Sequence, residues 1–124
     1  MVREVVTDSV NGIDINAEPA WTYYEQTPSR RTVTVALIDT GVDITHSDLA
    51  GSIWINEDEI PGDGIDNDGN GYVDDVNGWN FYSNNNQVFL GDEDDHGTHG
   101  AGTIAGAWDG QGITGIADGN YVKI

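Results

Sequence analysis

The apolar positions of this chain include one nearly continuous run. Residues 32–38 read TVTVALI, which is rich in β-branched side chains and wholly apolar in its second half. Such a run is typical of a parallel strand that is covered on both faces. It ends at Asp39, and the carboxyl ends of strands in open α/β sheets are where ligands and reacting groups gather. The pattern predicts a buried strand with a functional acid at its end.

Two helices and the start of a second strand are also predicted. Asn16 can cap a helix that runs through Tyr24 and stops before Pro28. Residues 96–107 read HGTHGAGTIAGA, in which the glycines share one face. Glycine is a poor helix former, but a helix face without side chains can approach a neighbouring element closely. Residues 121–124 look like the beginning of a further strand.

The polar positions collect in residues 56–78, which are mostly Gly, Asp and Asn. A loop of this length inside a compact domain is uncommon unless it is functional. Its segment DNDGNGYVDD, residues 66–75, fits the start of an EF-hand-type calcium loop. We expect Ca²⁺ rather than Mg²⁺, although an Asx-rich turn without a metal is the alternative. The predicted ligands are the side chains of Asp66, Asp68, Asn70, Asp74 and Asp75 and the backbone carbonyl of Tyr72.

The composition narrows the classes of function. The chain has 22 acidic and 4 basic residues among 124, a formal net charge of -18. This charge argues against nucleic acid and anionic membrane surfaces as partners, and no window has the length and apolarity of a membrane span. Many acids lie between Glu57 and Asp95, which suits either a bound cation or a salt-adapted, soluble surface. The absence of cysteine excludes disulfides, thiolate catalysis and zinc–thiolate sites.

Two motifs carry a family resemblance. VALIDTGVD at residues 35–43, followed by His46 and Asp48, resembles the catalytic-Asp segment of the subtilisin-like serine proteases, peptidase family S8. HGTH at residues 96–99, followed by AGTIAG, resembles their catalytic-His segment, and Asp precedes His as in that family. The resemblance implies that Asp39 and His96 are the catalytic Asp and His.

The chemistry of these residue types agrees with that assignment. A serine hydroxyl is a weak nucleophile and needs a base to take its proton. Imidazole, which titrates near neutral pH, suits the task, and a carboxylate that accepts the Nδ1–H bond fixes the required tautomer.

The resemblance also implies an architecture. We expect an α/β, three-layer subtilisin-like fold with a central parallel sheet, of which only the N-terminal portion is present. Residues 1–124 would be the N-terminal part of a single catalytic domain, with residues 1–15 as an N-terminal extension and residues 56–78 as a calcium-binding insertion. A second calcium site would use Asp48 and, in the loop after the His-bearing helix, Asp109.

The nucleophile of the triad is missing from the sequence. The five serines do not have the surroundings of the family's catalytic Ser; they are Ser9, Ser29, Ser47, Ser52 and Ser83. We therefore expect a serine endopeptidase of protein or peptide substrates whose Ser lies in the C-terminal half of the same domain, as a second chain or a missing segment. The 124-residue chain alone would be inactive. We also expect a secreted or cell-surface protein whose leader and pro-segment are absent here. The alternative is a non-catalytic calcium-binding module or pseudoprotease.

Overall fold

The computed structural model describes residues 14–91 and 95–124, so most of the predicted extension over residues 1–15 lies outside it. The chain divides into two units, Met1–Arg31 and Thr32–Ile124.

The first unit contains helix α1, Ala17–Glu25, and the prediction of this helix is confirmed. Asn16 occupies the N-cap position, but its backbone is left-handed (φ 57°, ψ 38°) and its side chain makes no capping hydrogen bond. Its backbone N–H instead donates to Asp14 Oδ1 at 2.5 Å. The capping role predicted for the Asn16 side chain is therefore wrong, because the left-handed backbone does not present that side chain to the helix.

The second unit contains a parallel sheet of two strands, β1 at Val33–Thr34 and β2 at Val122–Lys123. Val35 N–H extends the pairing by donating to the Lys123 carbonyl at 2.7 Å. Parallel strands separated by a helix fit the predicted α/β class. The strand predicted at residues 121–124 is confirmed.

The strand predicted over residues 32–38 is wrong in length and in burial. Only Val33–Thr34 is a strand, and both residues are exposed. Ile38, at the end of the apolar run, is 93% exposed. The reason is that β2 is the only strand beside β1 among the described residues, so no second ladder continues the run, and α2 covers it only in part, at Leu37.

The opposite edge of β2 meets the segment that leads into the acidic stretch. Ile124 N–H donates to the Ser52 carbonyl at 2.8 Å, and Trp54 N–H donates to the Ile124 carbonyl at 2.7 Å. The sheet thus connects the Asp39 segment, through β2, to the beginning of residues 56–78.

Helix α2, Asp95–Ala105, supplies most of the core of this unit. Ala101 and Ala105 lie one turn apart on α2 and are fully buried, and Leu49 of a short 3-10 helix is buried with 1% exposure. None of the helices among the described residues is long and apolar enough to cross a membrane.

The glycine face of α2 allows the close approach that the sequence predicted. A Cβ on Gly102 would stand 2.7 Å from Ile113 Cδ1, closer than real Cβ contacts allow. A Cβ on Gly100 would meet Leu37 Cδ1 at an ordinary 3.8 Å. Ile113 Cδ1 is the end of a flexible, half-exposed side chain that can move aside, so packing strictly requires glycine at neither position 102 nor position 100.

Candidate active site

The two carboxylate oxygens of Asp39 have different partners, one in its own turn and one on α2. Oδ1 accepts from the Thr40 backbone N–H at 2.8 Å and from the Thr40 hydroxyl at 3.3 Å. Oδ2 lies 2.8 Å from Nδ1 of His96. The Thr40 backbone bond and, next in size, the His96 bond hold the pKa of Asp39 below its usual value of 3.8. Asp39 is therefore an ionised acceptor with both oxygens engaged.

This contact determines which nitrogen of His96 can act as a base. A carboxylate only accepts, so Nδ1 must carry the hydrogen and, in the neutral ring, Nε2 carries the free lone pair. The His96 side chain is 83% exposed and the Asp39 side chain 17% exposed. The Asp39 side chain is thus much less exposed than the His96 ring. The structure brings the two predicted residues together, and their catalytic role stays a prediction.

Gly97 sets the separation between α2 and the Asp39 turn. It is buried, and a Cβ on it would overlap the carbonyl oxygen of Gly41 and stand 3.2 Å from Asp39 Cβ. Both obstacles belong to a short turn rather than to the end of a flexible side chain. Only glycine at this position lets the first turn of α2 carry His96 within hydrogen-bonding distance of Asp39.

Thr98 ties the next part of the Asp39 segment to the same helix. Its hydroxyl oxygen accepts from the Asp43 backbone N–H at 2.9 Å. The Asp43 carboxylate accepts from the Thr45 hydroxyl at 2.6 Å and from the Thr45 N–H at 2.9 Å, and these bonds lower its pKa. The turn after Asp39 is therefore fixed to α2 at two points, Gly97 and Thr98.

In the acidic stretch, Glu59 acts as an acceptor for the backbone. It is only 6% exposed. Its Oε1 accepts from the N–H groups of Asn67 at 2.7 Å and Asp68 at 3.2 Å, and its Oε2 accepts from the Asp74 N–H at 3.0 Å. One buried carboxylate thus satisfies three backbone donors on both sides of the loop. Sequence reasoning missed this residue.

Two asparagine amides bridge the same pair of carboxylates. Asn56 Nδ2 donates to Asp68 Oδ2 at 3.0 Å and to Asp75 Oδ1 at 3.1 Å. Asn70 Nδ2 donates to Asp68 Oδ2 at 3.0 Å and to Asp75 Oδ2 at 3.1 Å. The Asn56 bond is the largest cause of the lowered pKa of Asp68. Neutral donors therefore separate acids that would otherwise repel each other.

The same acids form a cluster that fits a hard cation. One carboxylate oxygen from each of Glu59, Asp68 and Asp75 lies within 4.8 Å of the others. Calcium takes six to eight oxygen ligands from such groups. Asp68 and Asp75 were predicted ligands, whereas Glu59 was not.

The remaining predicted ligands have other partners. Asp66 accepts from the N–H groups of Asn70 at 3.0 Å and Gly71 at 2.8 Å. Asp74 accepts from the N–H groups of Gly62 at 2.7 Å and Gly64 at 3.1 Å. The loop therefore differs from a linear EF-hand set: two of its carboxylates face backbone donors rather than the cluster. The Tyr72 ring packs against Trp79 with centroids 5.0 Å apart.

Comparison with known proteins decides the family. The model of the subtilase family, Peptidase_S8, matches residues 30–123. The chain belongs to the subtilase family. It is 40% identical over 80 residues to Subtilisin-like protease 1 of Plasmodium berghei, covering 64% of the chain and 13% of that protein. It is 42% identical over 84 residues to Subtilisin-like protease 1 of Plasmodium vivax, covering 66% of the chain and 13% of that protein.

A third relative extends the match. Halolysin of Haloferax mediterranei is 35% identical over 105 residues, which cover 84% of the chain and 16% of halolysin. The chain therefore spans between an eighth and a sixth of the length of these relatives.

The two acids predicted for a second calcium site of the subtilase chain share one cavity. Asp48 and Asp109 both line a space of about 160 Å³ next to the end of α2. Asp48 Oδ2 accepts from the Ile113 N–H at 2.9 Å, and Asp109 Oδ1 accepts from the Gln111 N–H at 2.8 Å. Within residues 14–91 and 95–124, no third acid or histidine completes a metal cluster with them.

Proposed function

We propose that this subtilase chain supplies the Asp and the His of an Asp-His-Ser triad in a serine endopeptidase. The observation that supports the proposal is the 2.8 Å contact between Asp39 Oδ2 and His96 Nδ1. In the proposed reaction, Nε2 takes the proton of a serine hydroxyl while the serine oxygen attacks the carbonyl carbon of the peptide bond. Asp39 stabilises the imidazolium, which then gives its proton to the leaving amine.

The serine in this proposal belongs to the C-terminal half of the catalytic domain. Ser52 supports an external nucleophile, since it is buried and its hydroxyl donates to the carbonyl of Ala105 at 2.9 Å. The exposed Ile38 face of the Asp39 segment offers an apolar surface that the remaining layers of a three-layer fold would cover. On this view the 124-residue chain does not hydrolyse peptides alone.

A serine-directed fluorophosphonate probe tests the proposal on a polypeptide in which this chain is joined to its serine-bearing half. We expect covalent labelling that His96→Ala abolishes and that His99→Ala, an exposed histidine one turn further along α2, retains. A folded wild-type protein that takes no label would instead support the non-catalytic calcium-binding module.

We also propose that the insertion at residues 56–78 binds Ca²⁺ through the carboxylates of Glu59, Asp68 and Asp75. The convergence of their oxygens within 4.8 Å supports this ligand set. A divalent cation would neutralise charges that only amide donors separate otherwise. Asp48 and Asp109 are the proposed residues of a second site, supported by the cavity that they share.

Thermal unfolding at fixed ionic strength tests the cation proposal. Saturating Ca²⁺ at 100 times its Kd should stabilise the chain by about 2.7 kcal/mol. Asp75→Asn should remove most of this gain, whereas Asp58→Asn, an exposed acid outside the cluster, should not. An equal gain from added NaCl alone would favour a salt-adapted acidic surface.

We propose that the protein acts in a secreted or cell-surface setting. A loop held by calcium suits a compartment in which the ion is abundant, and extracellular modules bind calcium with Kd values of about 10⁻⁴–10⁻³ M. The test is fractionation of the source cells with an antibody against this chain, which should detect the protein outside the cytoplasm.

A further inference from the structure

The acidic insertion contains two Asn-Gly dipeptides, Asn70-Gly71 and Asn77-Gly78, and the side chain of Asn70 donates to the carboxylates of Asp68 and Asp75. Asparagine is thermolabile, and a following glycine has no side chain to hinder attack on it. The deprotonated Gly71 nitrogen bonds to Asn70 Cγ, ammonia leaves, and a five-membered succinimide forms. Water then opens the ring at either carbonyl and leaves Asp or iso-Asp, so that an amide is exchanged for a carboxylate.

In the folded loop both reacting groups are engaged. The Gly71 N–H donates to Asp66 Oδ2 at 2.8 Å, and the negative charge of that carboxylate opposes formation of the amide anion. Asn70 Oδ1 accepts from the Tyr72 N–H at 2.8 Å, and Asn70 Nδ2 donates to Asp68 and Asp75. The side chain is therefore held by three neighbours and cannot turn its Cγ freely toward the Gly71 nitrogen.

We propose that Asn70 is a deamidation site that the folded loop protects, and that its conversion to an acid acts as an irreversible, age-dependent switch that opens the loop. The second half of the proposal follows from the bonds that are lost. Asn70 Nδ2 stands 3.0 Å from an oxygen of Asp68 and 3.1 Å from an oxygen of Asp75. A carboxylate in its place turns two attractive contacts into repulsions.

The protection is tested by incubating the chain and a peptide of residues 64–76 at mildly alkaline pH without added calcium. Peptide mapping by mass spectrometry follows the loss of ammonia at Asn70. We expect the rate in the chain to be at least about tenfold lower than in the peptide, since reaction requires local opening. Equal rates in the chain and the peptide would overturn the proposal.

Two variants separate the effect of the Asp66 charge on deamidation from a general loss of stability. Asp66→Asn keeps the shape but removes the charge beside the Gly71 N–H, so it should speed deamidation at Asn70. Asp63→Asn is the matched control, because the Asp63 carboxylate accepts from Ile65 and Asn67 and does not contact Asn70 or Gly71. Equal rates of deamidation at Asn70 in the two variants would show that the Asp66 carboxylate does not protect Asn70.

The switch is tested with Asn70→Asp, which mimics the Asp product. Hydrogen exchange of the Gly71 and Tyr72 N–H groups should rise at least about tenfold relative to the wild type. Asn84→Asp adds the same charge at an exposed position away from the cluster and should leave this exchange unchanged. Unchanged exchange in Asn70→Asp would overturn the switch. Since neither assay contains calcium, failure of the calcium proposal does not affect the outcome.

Discussion

The Asp39–His96 region and the acidic insertion hold their geometry by different physical means. At Asp39 the position of α2 is set by the lack of a side chain on Gly97, which admits the carbonyl of Gly41, together with the bond from Asp43 N–H to Thr98. In the insertion, hydrogen bonds to the buried Glu59 carboxylate and from the Asn56 and Asn70 amides hold the loop together in place of an apolar core. The first region depends on shape and the second on charge.

This difference predicts which changes each region tolerates. A shape-based contact fails when a methyl group is added and is insensitive to salt or cations. A charge-based loop tolerates added volume at its exposed positions but responds to the loss or gain of one charge. Matched substitutions in the two regions therefore test whether shape and charge act separately in them.

Gly97→Ala should lower the free energy of unfolding more than the other substitutions. The added Cβ overlaps backbone, so α2 must shift away from Asp39 at a cost of about 1–3 kcal/mol in the free energy of unfolding. Gly100→Ala on the same helix meets only Leu37 at 3.8 Å and should be neutral or stabilising. Urea unfolding of both variants measures the contrast, and equal effects would show that shape does not set the contact.

Glu59→Gln should have the next largest effect. The substituted amide offers one acceptor oxygen, and its NH₂ group would face a backbone N–H of the loop, which leaves buried donors without partners. We expect a loss of about 1–3 kcal/mol in the free energy of unfolding. Glu57→Gln is the same substitution at an exposed position and should cost little. An unchanged free energy of unfolding in Glu59→Gln would show that the charge of Glu59 does not hold the insertion together.

Thr98→Val should produce a smaller loss. The substitution keeps the β-branched shape but removes the oxygen that accepts from the Asp43 N–H, at a cost of about 1 kcal/mol. Thr98→Ser keeps the oxygen and should recover most of the loss. Thermal unfolding of the two variants separates the hydrogen bond from packing, and a Ser variant as unstable as the Val variant would assign the effect to the methyl group.

The smallest effect is on acid stability. The lowered pKa of Asp39 means that its contribution is fully present above its usual pKa of 3.8 and is lost as the pH falls through the lower folded value. Protonation of the other acids also relieves the repulsion of a chain with net charge -18, which acts in the opposite direction. The repulsion among the other acids is the same in the wild type and in Asp39→Asn, so it cancels in the difference between their melting temperatures. This difference should shrink on acidification, and a constant difference would contradict the assigned ionisation.

The sequence predicted those features that depend on local order. The two helices and the strand at β2 could be anticipated from local patterns, whereas the pairing of Asp39 with His96, 57 residues apart, was implied only by the family resemblance of the two motifs. The length of β1 could not, since it depends on which strands lie beside it. Glu59 was also missed, because its burial depends on N–H groups of residues 67–74 and nothing in its neighbourhood distinguishes it from Glu57 or Asp58.

Nitrogen NMR of the His96 ring in this chain shows directly whether Asp39 orients the imidazole so that Nε2 is free to accept a proton. We expect the neutral ring to carry its hydrogen on Nδ1, and we expect Asp39→Asn to disturb this tautomer and Asp58→Asn to leave it unchanged. A neutral His96 with its hydrogen on Nε2 in the folded wild-type chain would show that Asp39 does not orient the ring in this way.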